Sequence, residues 1–200
     1  MPTPYPLLYR IGFTPWERTT SLGPLPGLLD ELPPGRALDA GCGTGRHSVL
    51  AARAGWTVIG VDSVERPLRA ARARAVEAGV SDRVSFVRGD VTRLGAVVPD
   101  GSFDLVMDVG CLHGLSAAGQ GAFASWVTSR TREGARLVVL AALPRRGIGP
   151  KGIDGAALAA LFAEGWSMAD TAESPGQGGG PLRDAEFRWY HLRRETSTTA

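Results

Sequence analysis

Five short apolar runs, separated by stretches with helical spacing, constrain this chain more than any other feature. The runs are RALDA (36–40), TVIGVD (57–62), VSFVRGD (84–90), FDLVMDVG (103–110) and ARLVVLAAL (135–143). Between them, residues 46–54, 67–78 and 121–131 read as helices. In the last of these, Phe123, Trp126, Val127 and Arg130 share one face at i, i+3, i+4 and i+7. Gly55, Gly79 and Gly134 follow the three helices as expected C′ caps, and Pro67 falls in a first turn, where a missing N–H costs least. Strands alternating with helices in this way require right-handed crossovers and a parallel sheet covered on both faces. The expected fold class is therefore α/β, doubly wound, in a single domain.

The ends of the chain differ from its middle. Residues 1–20 are rich in proline and aromatics and read as an irregular arm or lid. Residues 21–194 form the expected domain. Within it, Asp154 can cap a helix carrying Leu158, Leu161 and Phe162 that stops at Gly165. SMADTAE and FRWYHLRR then read as two final strands joined by the long linker SPGQGGGPLRD. ETSTTA (195–200) reads as a disordered tail.

A chain of 200 residues, 44% hydrophobic, can bury a full core. Its net charge of +2 makes no strong case for a nucleic acid partner. No apolar run approaches the length of a membrane span, and no leader pattern opens the chain, so a cytoplasmic protein without membrane association is expected. Cys42 and Cys111 lack metal-ligand spacing and read as free thiols in a reducing compartment; no metal site is expected.

LDAGCGTGRH (38–47) joins the first apolar run to the first helix. A glycine inside a regular element costs about 0.5–1 kcal/mol relative to alanine, so three in close succession mark backbone that something approaches closely. A loop that leaves a strand and opens a helix aims free N–H groups and the positive helix end at a ligand. Gly41 and Gly43 would admit that ligand, and Gly45 would let helix and strand pack. Acids follow on the next strands. Asp62 stands 21 positions past Gly41, where doubly wound folds place the acid that accepts from ribose hydroxyls. Asp90 ends the third run and Asp108 comes near the end of the fourth, at the sheet edge where open α/β folds bind ligands. Each acid taken singly could be a solvated or capping carboxylate; the coincidence on consecutive strands points to a nucleotide-like cofactor.

The spacing D-x-G-x-G-x-G puts the third glycine one place earlier than the dinucleotide pattern does. It resembles the first motif of the class I S-adenosylmethionine-dependent methyltransferases. VIGVDSV, VRGDV, FDLVMDVGCLHGL and REGARLVVLA resemble the later motifs of that family. YRIGFTPWERTTSLGPLPGLLDEL, DVGCLHGL and FRWYHLRR resemble segments of its thiopurine, tellurite-resistance and halide/thiol methyltransferases, with Glu17 where that group tends to carry an aspartate. The resemblance implies a Rossmann-like seven-stranded sheet of order 3-2-1-4-5-7-6, its last strand antiparallel. It implies S-adenosylmethionine as cofactor, with S-adenosylhomocysteine as product. By the same resemblance Asp39, Gly41, Cys42, Gly43 and Gly45 form the loop at the methionine end. Asp62 and Ser63 meet the ribose, Asp90 and Val91 the adenine, Asp108 and Gly110 the sulfonium side, and Trp16 covers the cofactor.

Methyl transfer from a sulfonium is an in-line displacement in which orientation can supply about 7–11 kcal/mol. A thiolate or halide needs no base, whereas an alcohol or a protonated amine needs one within hydrogen-bond reach. His113, just past the fourth run, is the candidate base, with Asp108 as a second catalytic candidate; Tyr5, Tyr9 and His113 could line the acceptor pocket. The chain has no [DN]-P-P-[FYW] tetrapeptide and no Pro-Cys pair, which argues against base methylation of nucleic acids by those routes and favours a small-molecule acceptor with an S, N, O or halide nucleophile. Two other readings stay open: a methyltransferase-like protein that binds the cofactor for another reaction, such as a cyclase or decarboxylase, and an NAD(P)-dependent oxidoreductase.

Overall fold

The computed structural model describes residues 22–145, 151–174 and 185–196. Seven strands form one sheet in the order β3-β2-β1-β4-β5-β7-β6, as expected. They are β1 (Arg36–Ala40), β2 (Thr57–Asp62), β3 (Val84–Arg88), β4 (Phe103–Val109), β5 (Thr131–Ala142), β6 (Trp166–Ser174) and β7 (Phe187–Arg194). The first five run parallel, and β7 is antiparallel to both β5 and β6. Helices α1 (Leu25–Glu31), α2 (Arg46–Arg53) and α3 (Glu65–Glu77) pack on one face; α4 (Ala117–Ser129) and α5 (Gly155–Leu161) pack on the other.

Each face has its own core. Leu25, Val49, Leu68, Trp56, Leu105 and Met107 fill the first, and Leu38, Val61, Phe103, Phe123, Leu137 and Tyr190 fill the second. Burying one such aliphatic or aromatic side chain contributes about 1.5–3 kcal/mol, which explains why β1, β2 and β4 carry almost no polar residue except at their ends.

The boundaries differ from expectation at four places. α1 had no periodic signal: it is seven residues long with proline at its start, yet Leu25, Leu28 and Leu29 are buried at i, i+3 and i+4. α3 starts two residues before the expected Pro67. α4 covers Ala117–Ser129 rather than 121–131, because the Ser116 hydroxyl accepts the Gly119 N–H at 3.2 Å and so caps the helix early. Gly134 therefore caps no helix. It lies within β5 at φ +76°, where that strand advances five residues, from Thr131 to Arg136, against two on β4. Gly55 and Gly79 do sit just past their helices at positive φ, and Asp154 does cap α5 through the Ala157 N–H. Trp16, Tyr5 and Tyr9, the arm and lid, and residues 197–200 of the tail lie outside the described residues.

Candidate active site

β1 ends at Ala40, and the chain turns at once into the glycine loop. The Gly41 and Cys42 N–H groups both donate to the Val61 carbonyl, at 2.8 and 3.0 Å, tying the loop to β2. Gly41, Gly43 and Gly45 all have positive φ, between +52° and +72°. A Cβ on Gly45 would lie 2.7 Å from both the Ala71 Cβ and the Phe86 ring, so this glycine lets α2 close onto α3 and β3. A Cβ on Gly41 would lie 2.6 Å from the Cys111 Cβ, so the loop beginning at β1 touches the one that follows β4. Cys42 is buried, with its sulfur over Gly60; it reaches the cleft through backbone alone.

The four acids converge at the carboxyl edge, each held by named partners. Asp62 accepts the Gly43 N–H on one oxygen (3.0 Å) and the Val64 N–H on the other (2.8 Å), fixing loop and carboxylate to one another. Exposed Ser63 follows it, its carbonyl accepting from Arg88. Asp90 lies two residues beyond β3, not at its end. A single oxygen accepts both the Thr92 N–H and its hydroxyl, capping a 3-10 turn that begins at buried Val91. Asp39 is buried and accepts the Ser48 hydroxyl at 2.5 Å; Ser48 is thus a site-shaping residue that sequence reading missed, although its place in the first turn of α2 offered the signal. Asp108 is fully buried, and its carboxylate accepts the Cys111 and Leu112 N–H groups at 3.0–3.1 Å, folding the chain back after Gly110 at φ +86°.

Ala40 pairs with Asp108 and Asp39 with Met107, so the two buried acids sit one step apart on neighbouring strands. Burial raises the Asp39 carboxyl to about 6 and that of Asp108 to about 7, with repulsion from Asp62 on Asp39 and from Asp39 on Asp108 as smaller contributions. Among the described residues no arginine or lysine pairs with either acid. The edge thus combines exposed backbone with two buried carboxyls, Asp39 and Asp108, that have no arginine or lysine beside them, which suits a ligand carrying positive charge beside a ribose. No group of three or more metal-ligating side chains occurs among the described residues.

The structure encloses the expected base. His113 lies in a one-turn 3-10 helix, Leu112–Gly114, and is 3% exposed. Its Nδ1 accepts the Ala142 N–H at 3.0 Å, and burial lowers its pKa to about 4 rather than leaving it near neutrality. The lone pair that a general base would use is already engaged. Asp108, the second catalytic candidate, likewise holds a turn and is buried.

A profile of the methyltransferase domain family matches residues 37–134, the stretch from β1 into β5. The 2-heptyl-1-hydroxyquinolin-4(1H)-one methyltransferase of Mycobacteroides abscessus is 28% identical over 190 residues, covering 87% of this chain and 81% of that one. Further curated relatives match over shorter stretches, and this chain spans about half of their length or less. Among solved structures, the Burkholderia thailandensis 1,6-didemethyltoxoflavin-N1-methyltransferase, with 1,6-didemethyltoxoflavin and S-adenosylhomocysteine bound, superposes with a TM-score of 0.73 at 24% identity over 96% of this chain and 86% of that one. TehB from Haemophilus influenzae gives 0.74 at 15% identity, covering 94% and 66%. No helix among the described residues is long and apolar enough to cross a membrane. With its strand order, its glycine loop and its row of edge acids, this chain carries a methyltransferase domain, matched over residues 37–134, on the seven-stranded sheet of the solved methyltransferases.

Proposed function

We propose that this enzyme moves the methyl group of S-adenosylmethionine to a small organic acceptor by in-line displacement, working in the cytoplasm on neither nucleic acid nor membrane. The observation that carries the reading is the convergence of the Gly41–Gly45 loop and of Asp39, Asp62, Asp90 and Asp108 on one sheet edge. When bound, the cofactor supplies a methyl group activated by its positive sulfur. The chain's own residues bind and orient. Asp62, pinned by the Gly43 and Val64 amides, accepts from ribose hydroxyls with its remaining lone pairs, next to Ser63. Asp90 accepts from the adenine amino group beside Val91. Gly41 and Gly43 bring bare backbone to the methionine end, with the buried carboxyls of Asp39 and Asp108 beneath. Gly110 leaves room at the sulfonium side. Alignment of this kind carries the catalysis.

A small acceptor is supported by the M. abscessus relative, named for a hydroxyquinolinone, and by the toxoflavin precursor in the solved neighbour. The test is calorimetric titration with S-adenosylmethionine and S-adenosylhomocysteine, followed by incubation with methyl-labelled cofactor and a panel of thiols, halides, amines, phenols and hydroxyquinolinones. Binding with labelled product is the expected result. No heat at millimolar cofactor removes the cofactor site; binding without any product favours a non-transferring relative of the family.

A further inference from the structure

We propose that a cavity between α2 and α3, behind the glycine loop, is a regulatory site for a small organic anion with an apolar body. α2 has two working sides. Ser48 points inward to Asp39. Arg46, Val49, Leu50 and Arg53 recur at i, i+3, i+4 and i+7 on the opposite side of the helix. Gly45 lets α2 close onto α3 at Ala71, and α3 then continues beside it to Glu77. The cavity left there measures about 360 Å³, within the range of about 300–1,000 Å³ that small-molecule sites occupy. Val49, Leu50, Ala78 and Leu22 give it an apolar lining. Its polar lining, among the described residues, is the guanidinium groups of Arg46, Arg53 and Arg74 against the single carboxylate of Glu77. None of the glycines and acids of the sheet edge lines it.

That composition selects the chemistry of the occupant. An uncharged apolar molecule leaves the excess of guanidinium charge unanswered, and a cation is repelled by it. A carboxylate, sulfonate or phosphate on an apolar body answers both parts of the lining. The body covers Val49, Leu50 and Leu22, and the anion accepts paired hydrogen bonds from a planar guanidinium. Arg53 is the anchor for it. This side chain lies in the last turn of α2, is exposed, and makes no hydrogen bond or ion pair among the described residues. The site is regulatory because its other two arginines belong to the frame of the glycine loop. Arg46 follows Gly45 directly, and the Arg74 Nε–H donates to the Thr44 carbonyl at 3.0 Å, tying the loop to α3. An anion held by the Nη groups of Arg74 leaves that bond in place and joins α3 to α2 through Arg53. The loop is then held on both sides, and by linkage the anion and a ligand of the loop raise each other's affinity. This coupling, unlike the site itself, rests on the cofactor reading above.

The site is tested first without cofactor. The full chain carries ¹³C-labelled leucine and valine methyls, and the probe is naphthalene-2-sulfonate, with uncharged naphthalene-2-sulfonamide as control. Saturable shifts are expected at the methyls of Leu22, Val49 and Leu50, assigned through Leu22→Met, Val49→Ala and Leu50→Met. The sulfonamide on wild type, and the sulfonate on Arg53→Glu, should each bind about tenfold more weakly or worse, while Arg193→Gln, a loss of charge on distant β7, leaves the sulfonate affinity unaltered. No saturable shift at millimolar sulfonate overturns the site; so do shifts centred on Val109, Leu112 and Leu115, equal binding of the sulfonamide, or full affinity in Arg53→Glu. Nuclear Overhauser contacts from residues before Leu22 to the Val49 and Leu50 methyls would mark the chain's own segment as occupant, and shifts on dilution without probe would mark a second copy; either overturns the proposal. Calorimetry with S-adenosylhomocysteine then reads the coupling. Saturating sulfonate should raise its affinity about fivefold or more in wild type and leave it unchanged in Arg53→Glu. Unchanged or lowered affinity in wild type overturns the regulatory role. A wild type that takes up the sulfonate but no S-adenosylhomocysteine overturns the cofactor reading, and the coupling with it, and keeps the site.

Discussion

The two halves of the sheet are built on different terms. On one side β3, β2, β1 and β4 are parallel strands of five to seven residues, with β1, β2 and β4 buried along most of their length. On the other side β5, β7 and β6 run to twelve, eight and nine residues, β7 reverses direction, and β6 is exposed along most of its length. The first half carries the glycine loop and all four edge acids. The second contributes a single backbone N–H, at Ala142, and the edge of Phe187, both acting on His113. Short, deeply buried strands hold their ends rigidly, and rigid ends are what a common cofactor needs.

The comparison can be broken most severely at Gly45. Gly45→Val puts a branched side chain at φ +72° and against Ala71 and Phe86, at an expected cost of about 2–5 kcal/mol from backbone strain and overpacking. Thermal unfolding should show that loss together with abolished cofactor binding; unchanged affinity would mean that loop geometry does not matter.

The next effect is in the pH dependence of Asp108. Its folded pKa, about 7, stands above the ordinary 3.8, so its contribution to stability is complete below 3.8 and is lost as pH rises through 7. Asp108→Asn carries no such loss and can keep accepting the Cys111 and Leu112 amides. Without cofactor, the variant should gain on wild type by on the order of 2–3 kcal/mol between pH 5 and pH 8. His47 and His113, both lowered to about 4 by burial, act in the opposite sense, and taking the difference between the two proteins cancels them. A gap that is constant across pH would show that Asp108 is ionised throughout.

Asp62→Ala should cost about 1.5–3 kcal/mol of cofactor affinity, or roughly 10- to 150-fold in Kd, if a charge-assisted bond is lost. Calorimetry at fixed salt reads this directly. The smallest change belongs to the other half. Glu173→Ala on exposed β6 removes only a 3.5 Å ion pair with Arg188 and should move stability by less than about 0.5 kcal/mol, with cofactor affinity untouched. A larger effect there would erase the distinction between the halves.

The same division explains what could be read from residues alone. The cofactor side was legible because its chemistry is local: Asp39 to Gly45 is one loop, and Asp62, Asp90 and Asp108 each close or follow a strand that periodicity reveals. Helix α1 escaped notice because seven residues with proline at the start leave almost no periodic pattern. Gly134 was misplaced because a glycine at positive φ serves a helix cap and a strand irregularity equally well. The surroundings of His113 were illegible for a deeper reason. Its proton location depends on Ala142, 29 positions away, and no local pattern records which strand runs out first. Ser48 was missed although its partner Asp39 is only nine positions away, because the pair forms across the glycine loop.

One feature of the sheet has a consequence for how the molecule is assembled. β7 is the last of the described strands in sequence, yet it lies between β5 and β6 rather than at the rim. During synthesis β6 emerges with no neighbour to hold it, and β5 waits with one side open. The eight-residue strand β7 closes both gaps at once, and a nascent chain that has not reached Phe187 leaves β5 open on one side and β6 without its partner.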